Sequence, residues 1–394
     1  MQDTRASRPA PRLVAVAAFA LFAGNAAHAV DWTGYMRGGP AATTVSGESR
    51  QCYGLASPGL KYRLGNECDF YGEFQLAQAM KADGVDFNAV LMTNYYSPQT
   101  ESNDNYGIEQ AYVEMKGVDI APGALFWMGK RRDRDDVHIV DTFFTNMSGV
   151  GAGVENIDAG FGKFGFAGYK TDTNGGANGI ARLHAQLYDI AVNPDGKLRL
   201  VGTFSKADSQ GGQKGKDGFG FTVEHVQDKF FGGGNHIWVQ YAQGSTNINQ
   251  GFGNALATTG NKTWRVVESP SWQIGAFGGQ AIALYQHDEA DGGVKWNSYT
   301  LGGRGSFGIT KNLKFLTEIG FSGRKPNNGS QENLTKVTIG PALSTGPDFW
   351  KRPELRLYVT YADFNKAAAQ DLANGLPQNK TNAVSYGAQV EIWF

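Results

Sequence analysis

The stretch VSYGAQVEIWF, residues 384–394, ends the chain and alternates between two kinds of side chain. The first set, mostly apolar, is Val384, Tyr386, Ala388, Val390, Ile392 and Phe394, and the second, mostly polar, is Ser385, Gly387, Gln389, Glu391 and Trp393. Because successive side chains of a β-strand point to opposite sides, the stretch predicts a strand with one apolar and one polar face. Trp393 is the exception, an aromatic ring on the polar face.

The same alternation recurs along the chain, for example in residues 69–78, 181–188 and 352–361. Turn sequences such as NPDGK and ADGGVK separate these segments, and the chain is rich in glycine, with 54 residues, and in aromatic side chains, at 12%. Repeated alternating segments of about ten residues are typical of a transmembrane antiparallel β-barrel. Counting them gives about 16 to 18 strands, a size at which a barrel encloses an aqueous channel.

A soluble β-sandwich would produce the same alternation, with the apolar face turned to the core instead of to lipid. A chain of this length would ordinarily form several such domains joined by linkers, and no linker segment is evident. The sequence therefore favours an all-β membrane barrel, in which the polar face lines the channel and the apolar face contacts outer-membrane lipid.

The first residues have the features of an export signal. Three arginines precede an apolar run over 13–24, and the motif AHA follows at 27–29. This pattern predicts a secretory signal peptide over 1–29 and a single barrel domain over 30–394. The formal net charge of -1, without a basic patch, indicates that nucleic acid is not a partner.

Cys52 and Cys68 are the two cysteines of the chain. In an exported protein they are predicted to form a structural disulfide, the alternative being two buried free thiols.

No pattern in the sequence indicates catalysis, a metal site or a cofactor. GFGKFG at 160–165 matches the dinucleotide-binding glycine pattern, but it lies in a strand-like stretch with no helix after it. The acidic stretch DRDDVHIVD at 133–141 lacks the ligand positions of an EF-hand, and pore-lining charge is the preferred interpretation.

Several aromatic residues, Trp393 among them, share the polar face with charged ones. They are Tyr35, Tyr71, Trp350 and Trp393. One interpretation is interfacial or space-filling aromatics, as in most barrels. The other is a track on which sugar rings stack while neighbouring charged groups exchange hydrogen bonds with the hydroxyls.

The order of several longer motifs resembles that of the maltoporin, or LamB-type sugar porin, family over the whole chain after residue 29. The matching stretches are VDWTGYMR at 30–37, KYRLGNEC at 61–68, FWMGKR at 126–131, DDVHIVD at 135–141, SGVGAGVENIDAGFGK at 148–163, KDGFGFTVEH at 216–225, WKRPELRLYVTYA at 350–362 and GAQVEIWF at 387–394.

The resemblance implies an 18-stranded barrel that forms a homotrimer in the outer membrane of a Gram-negative bacterium, with the third loop, here 130–144, folded inward. It implies facilitated diffusion of maltose, maltodextrins or related oligosaccharides. The residues at positions of the family's aromatic slide are Tyr35, Tyr71, Trp350 and Trp393, and the residues at its ionic track are Arg37, Arg63, Glu73 and Asp141. The residues at its constriction are Asp136 and Phe143. The residues at its first-loop disulfide are Cys52 and Cys68.

Several positions depart from the family pattern. Phe143 replaces a tyrosine of the constriction, Glu109 replaces an arginine of the ionic track, and glycines occupy 232–234, near which a slide phenylalanine aligns. Trp238, which shares a face with His236 and Gln240, is predicted to supply a replacement stacking surface. The alternative function is a general or ion-selective diffusion porin without a saccharide site.

Overall fold

The computed structural model describes residues 30–56, 61–98, 104–171, 179–208, 215–258 and 260–394. The predicted signal peptide, 1–29, lies outside these residues. The strands are β1 Asp31–Gly38, β2 Ala41–Thr43, β3 Phe70–Ala82, β4 Val85–Ser97, β5 Asn105–Lys116, β6 Leu125–Arg131, β7 Arg134–Asp136, β8 Phe143–Asn146, β9 Gly149–Asp158, β10 Lys163–Lys170, β11 Ile180–Asn193, β12 Gly196–Ala207, β13 Gly218–Phe230, β14 Gly233–Gln243, β15 Lys262–Ile274, β16 Phe277–Glu289, β17 Lys295–Gly308, β18 Leu313–Pro326, β19 Glu332–Ser344, β20 Glu354–Phe364 and β21 Asn382–Trp393.

Two short helices, α1 Lys366–Gln370 and a 3-10 turn at Leu372–Asn374, lie between β20 and β21. No helix in the described ranges is long and apolar enough to cross a membrane.

Eighteen of the strands in the described chain form a closed antiparallel barrel, as predicted. The barrel closes because β1 pairs with β3 on one side and with β21 on the other. The short strand β2 continues the course of β1 along β21. Gly38 of β1 lies opposite Val390, and Ala41 of β2, three residues later, lies opposite Gly387. β7 and β8 form a separate two-stranded ribbon.

The two faces of the barrel differ as the alternation predicts for a membrane protein. In β20, Leu355, Leu357 and Val359 are exposed on the outside, whereas Glu354 and Arg356 of the same strand are buried inside. A soluble sandwich would bury the leucines instead. The exposed apolar belt therefore faces lipid and the polar face lines the interior.

Two segments that connect strands of the barrel contact this inner face. We call residues 44–56 and 61–69 the first-loop segment and residues 132–148 the third-loop segment. They also contact each other, since Tyr62 bridges to Val140 and the amide of Arg63 donates to the carbonyl of Ile139 at 3.0 Å. The predicted disulfide between Cys52 and Cys68 is present and closes the first-loop segment.

Two glycines of the barrel wall make room for the ring of Tyr62 in the first-loop segment. The ring lies against Gly302 and Gly320, which are directly opposite each other in β17 and β18, and its hydroxyl bonds Thr300 at 2.8 Å. A Cβ on Gly320 would lie 2.2 Å from the ring. The two glycines therefore form a socket that a larger residue would fill.

The inner face of β14, β15 and β16 is covered by the third-loop segment. We call this inner face the covered wall. Its apolar side chains, which pack with Tyr62, Val137, Ile139, Val140, Phe144 and Phe349 in one buried cluster, are Trp238, Val267, Ile282 and Leu284. Burial of these side chains fixes the third-loop segment against the barrel.

Candidate functional site

Aromatic rings from distant parts of the chain form a row, which we call the aromatic row. Tyr71 and Tyr35 have ring centroids 6.5 Å apart, and Tyr35 lies opposite Trp393 in the pairing of β1 with β21. The imidazole of His138 then lies 5.4 Å from Trp393 and 5.5 Å from Trp350. Strands β1, β3 and β21 and the turn before β20 thus bring together the four rings assigned by resemblance to the slide. Trp238, predicted as a replacement stacking surface, is not among them.

The rings of the row are accessible to different degrees. Trp350 is 41% exposed, and Tyr35, Tyr71 and Trp393 are half-buried. His138, from the third-loop segment, was not predicted as part of the row. Its motif DDVHIVD was recognised in the sequence, but the fold alone places its ring between two tryptophans.

Arg37 and Arg63 are joined through a carboxylate that the sequence did not single out. Glu67 accepts from Arg37 at 3.1 Å and from Arg63 at 2.5 Å, and Arg63 also lies 3.4 Å from Glu391. Burial alone would raise the pKa of Glu67, but the neighbouring positive charges, above all Arg63, lower it to about 2. Glu67 therefore stays ionised at neutral pH and fixes both guanidinium groups.

Glu73 is held by the third-loop segment. Its carboxylate pairs with Arg132 at 2.7 Å and with Arg134 at 3.1 Å. Arg132 also pairs with Glu109 at 2.7 Å. Glu109, the carboxylate at a family arginine position, is thus neutralised by an arginine from the third-loop segment, so that a guanidinium is still present beside the row.

Asp141 differs from the other predicted ionic-track residues because its side chain is 41% exposed. Lys61 lies 3.2 Å from it. Asp136 is also exposed, whereas Phe143 is partly covered by the guanidinium of Arg134, 4.4 Å from its ring centre. Asp136 and Asp141, two exposed carboxylates of the third-loop segment, are therefore accessible to a solute.

His138 is a neutral hydrogen-bond acceptor. Nε2 of the imidazole lies 2.9 Å from Nη2 of Arg352, which can only donate, and 3.4 Å from a carboxylate oxygen of Glu391. A bond from Arg352 requires that this nitrogen carry no proton. Burial lowers the pKa of His138 to about 4, although Glu391 favours the charged form. Arg352 also lies over the ring of Trp393, 4.2 Å from its centre, and so holds both His138 and Trp393 in place.

Trp238 does not have the exposed ring that a sugar-stacking role needs, and this prediction is corrected. The side chain is 2% exposed, and its indole stacks on Phe144 at 5.3 Å and on His236 at 5.2 Å. The alternation correctly placed Trp238 on the inner face, but the third-loop segment covers it there. A signal was available: at 266–267 and 281–285 apolar residues occupy both faces of the strands, which indicates a covered inner wall.

The described residues contain no group of three or more His, Cys, Asp and Glu side chains arranged to hold a metal ion. The site thus consists of aromatic rings and paired charges, which can bind a neutral polar solute by stacking and hydrogen bonding.

Solved structures similar to this chain include outer-membrane proteins. OpdQ of Pseudomonas aeruginosa is 6% identical, with 93% of this chain and 99% of that chain covered and a TM-score of 0.49. Wzi of Escherichia coli, a carbohydrate-binding β-barrel involved in capsule assembly, is 10% identical over 93% and 85% of the two chains, with a TM-score of 0.48. A loop-deletion mutant of OmpT of Vibrio cholerae is 9% identical over 93% and 99%, with a TM-score of 0.43.

Family membership rests on the sequence, since these structural scores are low. The family model described as LamB porin matches residues 30–394. This match identifies a channel-forming protein of the outer membrane of a Gram-negative bacterium. The chain belongs to the LamB porin family.

Proposed function

We propose that this porin gives facilitated diffusion of maltose, maltodextrins or related oligosaccharides. The observation that carries the proposal is the aromatic row, in which Tyr71, Tyr35, Trp393, His138 and Trp350 follow one another beside charged groups. The apolar C–H faces of a sugar stack on such rings, and its hydroxyls exchange hydrogen bonds with charged neighbours.

Transport along the row is passive. A sugar leaves one ring as it meets the next, while the predicted ionic-track residues Arg37, Arg63, Glu73 and Asp141 contact its hydroxyls. Each contact has to be weak, because a single tight site would retain the solute and stop the flux. No covalent step and no cofactor is part of this mechanism.

The third-loop segment is proposed to fold inward and narrow the channel next to the row. Its residues Val137 and Ile139 are buried with side chains of the covered wall, while Asp136 is exposed and Phe143 partly so. Asp136 and Phe143 would then form the constriction. The exposed outer belt contacts lipid, and the protein is proposed to assemble as a homotrimer, as the family resemblance implies.

One observation favours the alternative, a general or ion-selective diffusion porin. Arg37, Arg63 and Glu73 are each less than a tenth exposed and already paired with protein charges. Their capacity to bond a sugar is therefore reduced, and a channel of this kind would pass ions without a saccharide site.

Ion current through single reconstituted pores, titrated with maltose, maltotriose and sucrose, separates the two functions. A sugar site predicts block that saturates and becomes stronger from maltose to maltotriose, because a longer chain covers more of the row. A current that no sugar changes would reject the sugar site and support the general porin. Trp264→Ala, which removes an outward-facing ring, is the matched control.

A further inference from the structure

Arg182 is a buried positive charge that lacks a negative partner. The side chain lies on the inner face of β11, is 1% exposed, and makes no ion pair within the described ranges. Its Nη2 donates to the carbonyl of Ser148 at 2.7 Å, but Nε and Nη1 have no hydrogen-bond partner there. Burying an unpaired charge is costly, so a counter-charge is expected.

Two other buried arginines of the interior have carboxylate partners. Arg304 pairs with Glu318 at 2.7 Å, and Arg352 pairs with Glu354 at 3.0 Å. Arg265 lacks a carboxylate at ion-pair distance, but it donates to the side chain of Gln240 at 2.6 Å and to the carbonyl of Phe144 at 3.1 Å. Arg182 thus differs from Arg304 and Arg352 by its uncompensated charge, and from Arg265 by its unused donors.

Two further buried ring nitrogens without a hydrogen-bond partner lie beside Tyr169, as Arg182 does. Thr203 Oγ1 bonds Nδ1 of His184 at 2.9 Å, which leaves Nε2 buried and unpartnered, and Nε1 of Trp127 is also unpartnered. All three side chains surround the ring of Tyr169, whose centre is 4.6 Å from the Arg182 guanidinium, 5.4 Å from His184 and 5.5 Å from Trp127.

The pairing of the strands explains why these groups are close. In the neighbouring strands β6, β9, β10 and β11, Trp127 is paired with Gly153, Gly153 with Ala167, and Ala167 with His184. Because Gly153 and Ala167 are small, the indole of Trp127 lies over Gly153 and packs with Ala167 and Tyr169 on the inner face. Arg182 is two residues from His184 on the same face of β11, and Phe252 covers its guanidinium at 3.9 Å.

We infer that Arg182, His184 and Trp127 bind a small monovalent anion such as chloride. The unused groups are N–H donors, with His184 donating from Nε2 when Thr203 donates to Nδ1. In that tautomer an anion accepts from all of them and neutralises the guanidinium. One uncompensated charge calls for a single negative charge. The site lies apart from the aromatic row and is independent of the proposed sugar transport.

Bromide can replace chloride in crystals of the full-length protein and is located by its anomalous scattering. The expected result is a bromide peak within hydrogen-bond distance of Arg182 and His184, and none at Arg265, whose donors are satisfied. An ordered water at Arg182 without anomalous signal would overturn the inference. This measurement uses the unchanged protein and does not depend on a variant that folds.

A second measurement compares thermal unfolding in sodium chloride and sodium gluconate at equal ionic strength. A bound anion raises the unfolding midpoint with the logarithm of the chloride concentration, and Arg182→Met should abolish this dependence. Arg265→Met, the matched control, removes another buried arginine and should keep it. Equal midpoints of the unchanged protein in the two salts would contradict the site.

Discussion

Trp393 and Trp238 both lie on inner faces of the barrel, yet they have different surroundings. Trp393 belongs to the aromatic row and is half-buried, whereas Trp238 belongs to the covered wall and is enclosed by Phe144 and His236. Strand parity decides to which side a ring points, but a segment distant in sequence decides whether that ring is free. The comparison predicts that one tryptophan serves binding and the other serves stability.

The largest expected effect is on the covered wall. Trp238→Ala would leave a cavity in the buried cluster and lower the free energy of unfolding by about 3–5 kcal/mol. Denaturant unfolding of the reconstituted protein measures this, with Trp264→Ala on the lipid face as the control.

Sugar titration of the same variant completes the comparison. Stability equal to that of the unchanged protein, together with a loss of sugar block, would mean that Trp238 is a stacking residue after all.

A second change tests the socket of Tyr62. Gly320→Ala places a methyl group against the ring, so Tyr62 has to leave and the contacts of the first-loop segment weaken, at a cost of about 1–3 kcal/mol. We expect a larger single-pore conductance. Gly305→Ala is the matched control, because its nearest atom would be at an ordinary 3.4 Å. Unchanged conductance and stability would show that the socket does not hold the segment.

A third change acts on the aromatic row. Trp393→Ala should weaken sugar block about tenfold, corresponding to about 1.4 kcal/mol of lost stacking, with little loss of stability because the ring is half-buried. Current block by maltotriose measures the affinity. If the affinity stays within a factor of two, the row is not the sugar path.

The smallest effect concerns pH. His138 has a folded-state pKa of about 4, below the ordinary value of 6.5, so the neutral form is favoured in the folded protein. Its contribution to stability is complete above pH 6.5 and is lost as the pH falls towards 4. Sugar block should therefore remain constant from pH 7 to about 5 and change below that, where a proton on Nε2 would break the bond from Arg352.

His138→Gln, measured in the same way, should remove this change. A transition near pH 6.5 in the unchanged protein would mean that the imidazole is not buried against Arg352.

The alternation of single strands was sufficient to predict the barrel, its lipid-facing side and the inward direction of Trp393, because these depend on neighbouring residues only. The pairing of Arg132 with Glu109, and the role of His138, depend on where the third-loop segment lies. No local pattern specifies such contacts. The amide of Leu64, for example, donates to Glu318, 254 positions away.

The pairing of β1 with β21 has a consequence for how the protein can be assayed. Tyr35 comes from the first strand and Trp393 from the last, and the Tyr35 hydroxyl bonds Glu391 across 356 positions of sequence. The middle of the proposed sugar path therefore forms only when β1 and β21 have paired. Saturable sugar block would report completed insertion and closure, so the same titration could follow the assembly of the barrel in a membrane over time.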